Sequence, residues 1–216
     1  MFIELDSKFL SEIATDSDRV PTLYYSSNWA VTKFFWLRLR LIYWMFRKRN
    51  LKNNCLDFCG GGGIFLPTLS CSFDSVTFID LEDIEAKRVI EYFKLKNVNI
   101  IKGDVSNIEF KPKSFDVIIA ADVLEHFSDL EVPVDILKKI LSKDGFLYTS
   151  FPTENYFYGL LRKLCRVVKP KDHYHKGYFI EEYLQKAGFV RTNKRYIPFL
   201  YIPFFTLFII GEWRLK

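Results

Sequence analysis

Apolar residues recur along this chain in short runs that alternate with stretches of helical spacing. Five short apolar runs typical of buried strands cover residues 54–58, 75–80, 98–102, 115–120 and 145–151. Helical spacing lies between them at 83–96 and 132–141, and later at 180–187 before Gly188, followed by strand-like runs at 189–196 and 207–214. This alternation predicts an α/β fold with crossover connections and a mostly parallel sheet.

Residues 28–49 precede the first strand and have the spacing of a long helix. Five apolar side chains fall in one charge-free sector, as expected for core contact: Phe35, Leu39, Ile42, Tyr43 and Phe46. A second apolar set lies among basic residues on the other side: Phe34, Leu37, Leu41, Trp44 and Met45. This second face either caps a ligand pocket or lies on an anionic membrane surface. We therefore divide the chain into an N-terminal helical cap, 1–52, and an α/β domain, 53–216.

Composition and charge restrict the classes of protein. A chain of 216 residues suits one globular core with an appendage. The formal net charge is only +5, but basic residues are concentrated in 29–52, which contains no acidic residue, and in a second run from Arg162 to Lys176. Such runs form a solvated face or meet an anionic partner.

The four cysteines form no Cys-x-x-Cys pair, and no histidine lies at zinc-ligand spacing. Free thiols and no metal site are therefore predicted. The N-terminus lacks the pattern of a signal peptide, and Pro198 and Pro203 interrupt the longest apolar stretch, 196–210. A cytoplasmic protein is expected, with peripheral contact at the inner membrane surface through 28–49 as the alternative.

A glycine-rich turn follows the first predicted strand. Gly60, Gly61, Gly62 and Gly63 come directly after Asp57, Phe58 and Cys59. Four glycines at the carboxyl end of a first parallel strand favour a close approach of the backbone to a nucleotide-like ligand. Asp80 ends the second strand, where a carboxylate can accept both ribose hydroxyls. A dinucleotide is disfavoured because Phe65 and Leu66 occupy the third small position of that fingerprint.

An ordered set of motifs resembles class I S-adenosylmethionine-dependent methyltransferases of the small-molecule type. Leu56 to Gly63 resembles the first motif of that family and Phe78 to Asp80 the second. Later segments match in order: Lys102 to Val105, Phe115 to His126 and Ser142 to Leu147. The resemblance covers about 53–216 and implies a Rossmann-like, doubly wound sheet of seven strands whose last strand is antiparallel.

The resemblance also implies roles for individual residues. Gly61 and Gly63 would approach the methionine and ribose parts of S-adenosylmethionine, and Asp57 would organise the loop or meet the amino group. Asp80 would bind the ribose hydroxyls beside Leu81, and Asp104 with the Val105 backbone would read the adenine. The family's first glycine is Cys59 here, which puts cofactor affinity in question.

Candidate acceptor-side residues follow the fourth and fifth strands. His126, just after Asp122, could accept a proton from a hydroxyl acceptor near pH 7, although a structural histidine would suit the same place. Residues 152–178 are interpreted as a wall of the acceptor site. The substrate candidates are Tyr156, His173, His175 and Trp44.

These observations favour methyl transfer, and O-methylation in particular, to a small amphipathic or anionic acceptor such as a lipid-linked, glycan or quinone-type molecule. Two other classes stay open. One is an inactive cofactor-binding or scaffold protein, suggested by Cys59. The other is a nucleic-acid methyltransferase, which is disfavoured because no Asn-Pro-Pro-Tyr type signature follows the fourth strand.

Overall fold

The computed structural model describes residues 1–14, 19–164, 172–198, 202 and 204–216. The strands are β1 (Asn54–Phe58), β2 (Ser75–Asp80), β3 (Val98–Lys102), β4 (Phe115–Ala121), β5 (Leu141–Pro152), β6 (Phe189–Ile197) and β7 (Phe208–Leu215). The helices are α1 (Ser7–Ile13), α2 (Trp29–Arg47), α3 (Leu66–Ser70), α4 (Ile84–Phe93), α5 (Glu131–Ile140), α6 (Tyr156–Leu164) and α7 (Gly177–Lys186). Cys165 and part of the second basic run, Arg166, Lys169 and Lys171, lie outside the described residues.

The seven strands form one sheet in the order β3-β2-β1-β4-β5-β7-β6. Pairs among β1 to β5 are parallel, whereas β7 is antiparallel to both β5 and β6. The doubly wound sheet with an antiparallel last strand is therefore confirmed. Because β1 to β4 are parallel and adjacent, the residues that follow them meet at one edge of the sheet.

Two apolar clusters cover the two faces of the sheet. One joins α1, α2, α3 and α4 to side chains such as Phe78 and Tyr148, and the other joins α5 and α7 to side chains such as Phe58 and Trp213. The N-terminal helices thus share a core with the sheet they cover. Three of the free thiols are Cys55, Cys59 and Cys71.

Most predicted elements are present, with shifts of a few residues at their ends. The helix predicted at 83–96 ends at Phe93 because Lys94 has left-handed backbone dihedrals. The wall predicted at 152–178 contains a helix, α6, that the sequence analysis did not assign.

Four of the five residues in the second apolar set of α2 are not exposed. Leu41 and Met45 are buried, and Phe34 and Leu37 are partly buried. The reason is that α2 packs across β5, β7 and β6, so both of its apolar faces find contacts. Trp44 alone of the five is exposed, with 44% of its surface accessible. Within the described ranges, none of the helices has both the length and the apolar character needed to cross a bilayer.

Candidate functional site

The glycine turn lies directly after β1, at the carboxyl edge of the sheet. Gly61 and Gly63 have φ values of +58° and +69°, which favour glycine. Cys59 also has a positive φ, +53°, and its side chain packs against the cluster under α5 and α7. The departure from glycine at position 59 therefore places a side chain in the core beneath the turn.

Two glycines of the turn are required by lack of space. A Cβ atom on Gly60 would lie 2.5 Å from Asp57 Oδ2, and one on Gly63 would lie 2.9 Å from Ala86 at the start of α4. The turn therefore lies against a carboxylate on one side and a helix on the other. The glycines therefore fix the path of the turn at the carboxyl end of β1.

Asp57 is a buried carboxylate next to this turn. Its Oδ2 atom has no hydrogen-bond partner among the described residues. Burial, with a smaller contribution from the charge of Asp80, raises the pKa of Asp57 to about 7. A cationic group placed here would compensate the buried charge.

Asp80 ends β2 and faces the same turn. Its Oδ2 accepts a hydrogen bond of 2.8 Å from the Gly61 N–H, and its Oδ1 lies 3.1 Å from the guanidinium of Arg19. Burial raises the pKa of Asp80, while the Arg19 charge and the Gly61 N–H oppose that rise.

The segment at Arg19 and Val20 covers the glycine turn. The Gly62 N–H donates to the Arg19 carbonyl at 2.8 Å, and a Cβ on Gly62 would lie 2.3 Å from Val20 Cγ2. The strand-end carboxylate that would meet a ribose is thus already paired with an arginine. No sequence motif marks Arg19, because its position in space depends on how the N-terminal segment folds back.

The remaining cofactor candidates lie at the same edge. Asp104 follows β3, accepts a hydrogen bond from the Ser106 N–H at 2.8 Å, and precedes the buried Val105. Its charge contributes to the raised pKa of the Cys59 thiol, for which burial is the main cause. Leu81, next to Asp80, is exposed. These residues and the glycine turn therefore surround one region.

Asp122 follows β4 and is held by two partners. Its Oδ1 accepts from the Ser150 hydroxyl at 2.7 Å, and its Oδ2 forms an ion pair with Arg38 of α2. The buried Arg38 also donates to the Tyr24 hydroxyl at 2.8 Å and lies over the Phe35 ring. Asp122 is therefore held in a fixed ion pair. In this position it can orient neighbouring residues, but it is poorly placed to exchange protons with a substrate.

His126 ends the 3₁₀ turn Leu124–His126 that follows β4. Its Nδ1 lies 2.7 Å from Asp172 Oδ2. Burial lowers the pKa of His126, and the Asp172 carboxylate only partly opposes this change. The imidazole is therefore mainly neutral at pH 7 and can accept a proton or bind a metal.

His173 lies against His126, with ring centroids 4.6 Å apart. Its Nδ1 lies 2.8 Å from Glu154 Oε1, and Arg162 pairs with the same carboxylate at 2.8 Å. Burial would raise the pKa of Glu154, but His173 and Arg162 together hold it below its ordinary value. The structure thus brings together two of the predicted histidines, which are 47 positions apart in the sequence.

Glu125 is a third member of this group that the sequence analysis missed. The residue is 0% exposed, and neither carboxylate oxygen accepts a hydrogen bond from another described residue. Burial raises its pKa to about 8. The only sequence signal was an acidic residue inside the apolar run before His126. The expectation of no metal site relied on spacing along the chain, and it did not consider ligands brought together by the fold.

Three predicted substrate residues lie outside this histidine cluster. Tyr156 begins α6 and is 89% exposed. His175 contacts the Ser128 carbonyl at 3.3 Å and stacks on Phe179. Trp44 lines a cavity of about 150 Å³ with Asn193 and Arg195 of β6. The structure does not bring Trp44 together with the glycine turn or the histidines.

The sheet order, the glycine turn after β1 and the carboxylate ending β2 define a class I S-adenosylmethionine-dependent methyltransferase. A family model described as a methyltransferase domain matches residues 34–193, and the chain belongs to this family. No curated protein sequence matches it significantly. The resemblance drawn from the motifs is thereby confirmed at the level of family and cofactor.

Solved structures show the same fold at low sequence identity. The N-methyltransferase NodS from Bradyrhizobium japonicum WM9 is 15% identical with a TM-score of 0.68, over 85% of this chain and 97% of that one. NodS in complex with S-adenosyl-L-homocysteine is 16% identical with a TM-score of 0.67, over 99% and 100%. The PH0226 protein from Pyrococcus horikoshii OT3 is 20% identical with a TM-score of 0.69, over 94% and 100%.

Proposed function

We propose that this methyltransferase O-methylates a small amphipathic or anionic acceptor at the carboxyl edge of its sheet. The observation that carries the proposal is the neutral His126 imidazole, oriented by Asp172, in the turn after β4. That strand pairs with β1, which leads into the glycine turn. A proton acceptor and the cofactor turn therefore lie on neighbouring strand ends.

The residues at the turn fit S-adenosylmethionine. That cofactor supplies a methyl group on a positively charged sulfur and also carries a cationic amino group. Asp57 offers a buried oxygen without a hydrogen-bond partner among the described residues, and Gly60 lets the turn pack directly against that carboxylate. Asp80 would bind the ribose hydroxyls in place of Arg19, while Asp104, Val105 and Leu81 would border the adenine.

The chain's own residues position the acceptor and take its proton. His126 accepts the proton that a hydroxyl group loses, and Asp172 holds the ring in place. Asp122, fixed by Arg38 and Ser150, orients the start of the turn that carries His126. Alignment and exclusion of water supply most of the remaining rate enhancement.

An aromatic surface near this edge supports an amphipathic acceptor. Tyr156, Phe204 and Phe205 are exposed, and the Phe157 ring packs on Phe205 at 4.8 Å. This joins α6, which follows β5, to residues 204–205 in one apolar surface. A lipid-linked or quinone-type molecule could lay its apolar part there.

Calorimetry with S-adenosylmethionine and NAD side by side tests the cofactor part. We expect binding of the first ligand only, and Asp80→Ala should weaken it by about 1.5–3 kcal/mol, the range for charged hydrogen bonds. Asp74→Ala is the matched control, because Asp74 is exposed and lies just before the opposite end of β2. Unchanged affinity in a folded Asp80 variant would remove this residue from the site.

Release of S-adenosylhomocysteine with hydroxylated amphipathic acceptors tests the reaction. Cofactor binding without turnover on any acceptor would favour an inactive scaffold. Strong salt-dependent binding to RNA or DNA would instead favour a nucleic-acid substrate.

Peripheral membrane contact through residues 28–49 is a second proposal, supported by the exposed Trp29 and Trp44. If it is correct, the protein sediments with anionic vesicles and is released by added salt. Substitution of the exposed Arg47 and Lys48 by Gln should then abolish sedimentation. Absence of wild-type sedimentation would rule it out.

A further inference from the structure

We infer that Glu125, His126 and His173 form a binding site for a divalent transition-metal ion. Each residue offers one ligand atom, and these atoms lie within 4.8 Å of one another. Two of the ligands come from the turn after β4, and the third comes from the segment before α7. Two imidazoles and one carboxylate form a common set of three protein ligands for a catalytic metal.

The state of Glu125 is an independent indication of a ligand. Its carboxylate is fully buried, and neither oxygen accepts a hydrogen bond from another described residue. Burying a carboxylate without partners is costly, so such groups are normally paired or bound to a metal. An ion between Glu125 and the two histidines would provide the missing partner.

The surroundings of both histidines match those of metal ligands. Asp172 lies 2.7 Å from Nδ1 of His126, and Glu154 lies 2.8 Å from Nδ1 of His173. A carboxylate on one ring nitrogen fixes the tautomer and leaves Nε2 with its lone pair available. Arg162, which pairs with Glu154, holds the second of these outer carboxylates in place.

The ligand types favour zinc or a similar ion over magnesium, because imidazole binds borderline metals well and magnesium prefers oxygen. Three protein ligands leave a coordination position open to water or to an oxygen of the acceptor. This part of the inference rests on the proposed function. In the metal-bound protein His126 is a ligand and no longer accepts the proton. The bound ion would instead activate the acceptor by lowering the pKa of its hydroxyl group.

Metal binding is measured on chelator-treated full-length protein titrated with zinc chloride in a calorimeter. We expect one ion per chain, and Glu125→Gln and His173→Asn should each weaken binding by at least about 100-fold, with about 10-fold for Asp172→Asn. His175→Asn is the matched control, since His175 contacts Ser128 and Phe179 and is not a member of the cluster. It should bind zinc like the wild type.

Cofactor binding, measured on the same samples, separates this inference from the proposed function. Variants that no longer bind zinc but still bind S-adenosylmethionine have kept their fold. Their loss of zinc binding then supports the proposed metal site. Wild-type protein that binds the cofactor but no zinc would overturn the metal site and leave the methyltransferase assignment intact. Zinc binding retained in both Glu125→Gln and His173→Asn would also overturn it.

Discussion

The buried carboxylate of Asp57 should make cofactor affinity depend on pH. In the structure without ligand the pKa of Asp57 is about 7, because the group is buried and lies near Asp80. A cationic amino group beside it would return the pKa toward its ordinary value near 3.8. At any pH at which Asp57 is protonated in the free protein, cofactor binding should therefore require Asp57 to lose that proton.

The size of the effect follows from the fraction ionised. About half of Asp57 is charged at pH 7, and only about 3% at pH 5.5, so affinity for S-adenosylmethionine should fall by about 15-fold between these values. The amino group of the cofactor stays cationic over this range, since α-amino groups have pKa values near 8. At pH 6 nearly one proton should be released per cofactor bound.

Calorimetry at both pH values, in buffers of different protonation enthalpy, measures affinity and proton release together. Asp57→Asn is the matched variant: it keeps the shape of the side chain, removes the titration, and should give weaker binding with a flatter pH profile. The placement of a cation at Asp57 would be refuted if the wild type bound the cofactor equally well at pH 7 and 5.5. It would also be refuted if the affinity of Asp57→Asn changed with pH as steeply as that of the wild type.

Three further predictions concern stability and the turn. Because Cys59 has a positive φ but its side chain packs in the core beneath the turn, Cys59→Gly should change the free energy of unfolding by less than about 1 kcal/mol and keep or tighten cofactor binding, whereas Cys59→Trp should abolish binding by overpacking that core. Chemical denaturation and calorimetry check both. Gly60→Ala should lower stability by about 1–3 kcal/mol through overpacking, while Gly159→Ala, with open space around its new Cβ in α6, should not lower it. Glu212→Ala should lower stability by about 1–3 kcal/mol, because it leaves the buried Tyr148 hydroxyl without the carboxylate to which it donates at 3.1 Å; a stability equal to that of Gly159→Ala would contradict this.

The pH dependence of stability has opposite signs at Asp57 and Glu212. Asp57 has a raised folded-state pKa, so its unfavourable contribution grows as pH rises from about 4 to about 7. Burial would raise the pKa of Glu212, but hydrogen bonds from Arg49 and Thr192 lower it overall. Its contribution is therefore present above the ordinary pKa and is lost as the pH falls below it.

Local sequence patterns were sufficient to predict the sheet and the position of the glycine turn. The apolar runs marked the strands, and the glycines marked the turn after β1, because these features depend on neighbours in the sequence. Helix α6 was missed because its aromatic residues occur in a region rich in basic residues. Arg38 resembled a surface cation, yet it is buried with Asp122.

The acceptor side could not be deduced from one sequence for a different reason. Glu125 and His173 meet only because β4 lies beside β5 in the sheet and the chain after β5 returns past the end of β4. Arg19 reaches Asp80 from a segment before the first strand. Such contacts depend on tertiary packing, which spacing along the chain does not record.

The pairing of Arg19 with Asp80 has a kinetic consequence for cofactor entry. An arginine attached to the same chain acts as an intramolecular competitor, and tethering gives such a competitor a local concentration in the millimolar range. The rate of cofactor association should then reach a plateau at high cofactor concentration, set by how often Arg19 leaves Asp80. Because the Asp80 carboxylate is buried, salt screens this ion pair only weakly, and the plateau should change little with ionic strength.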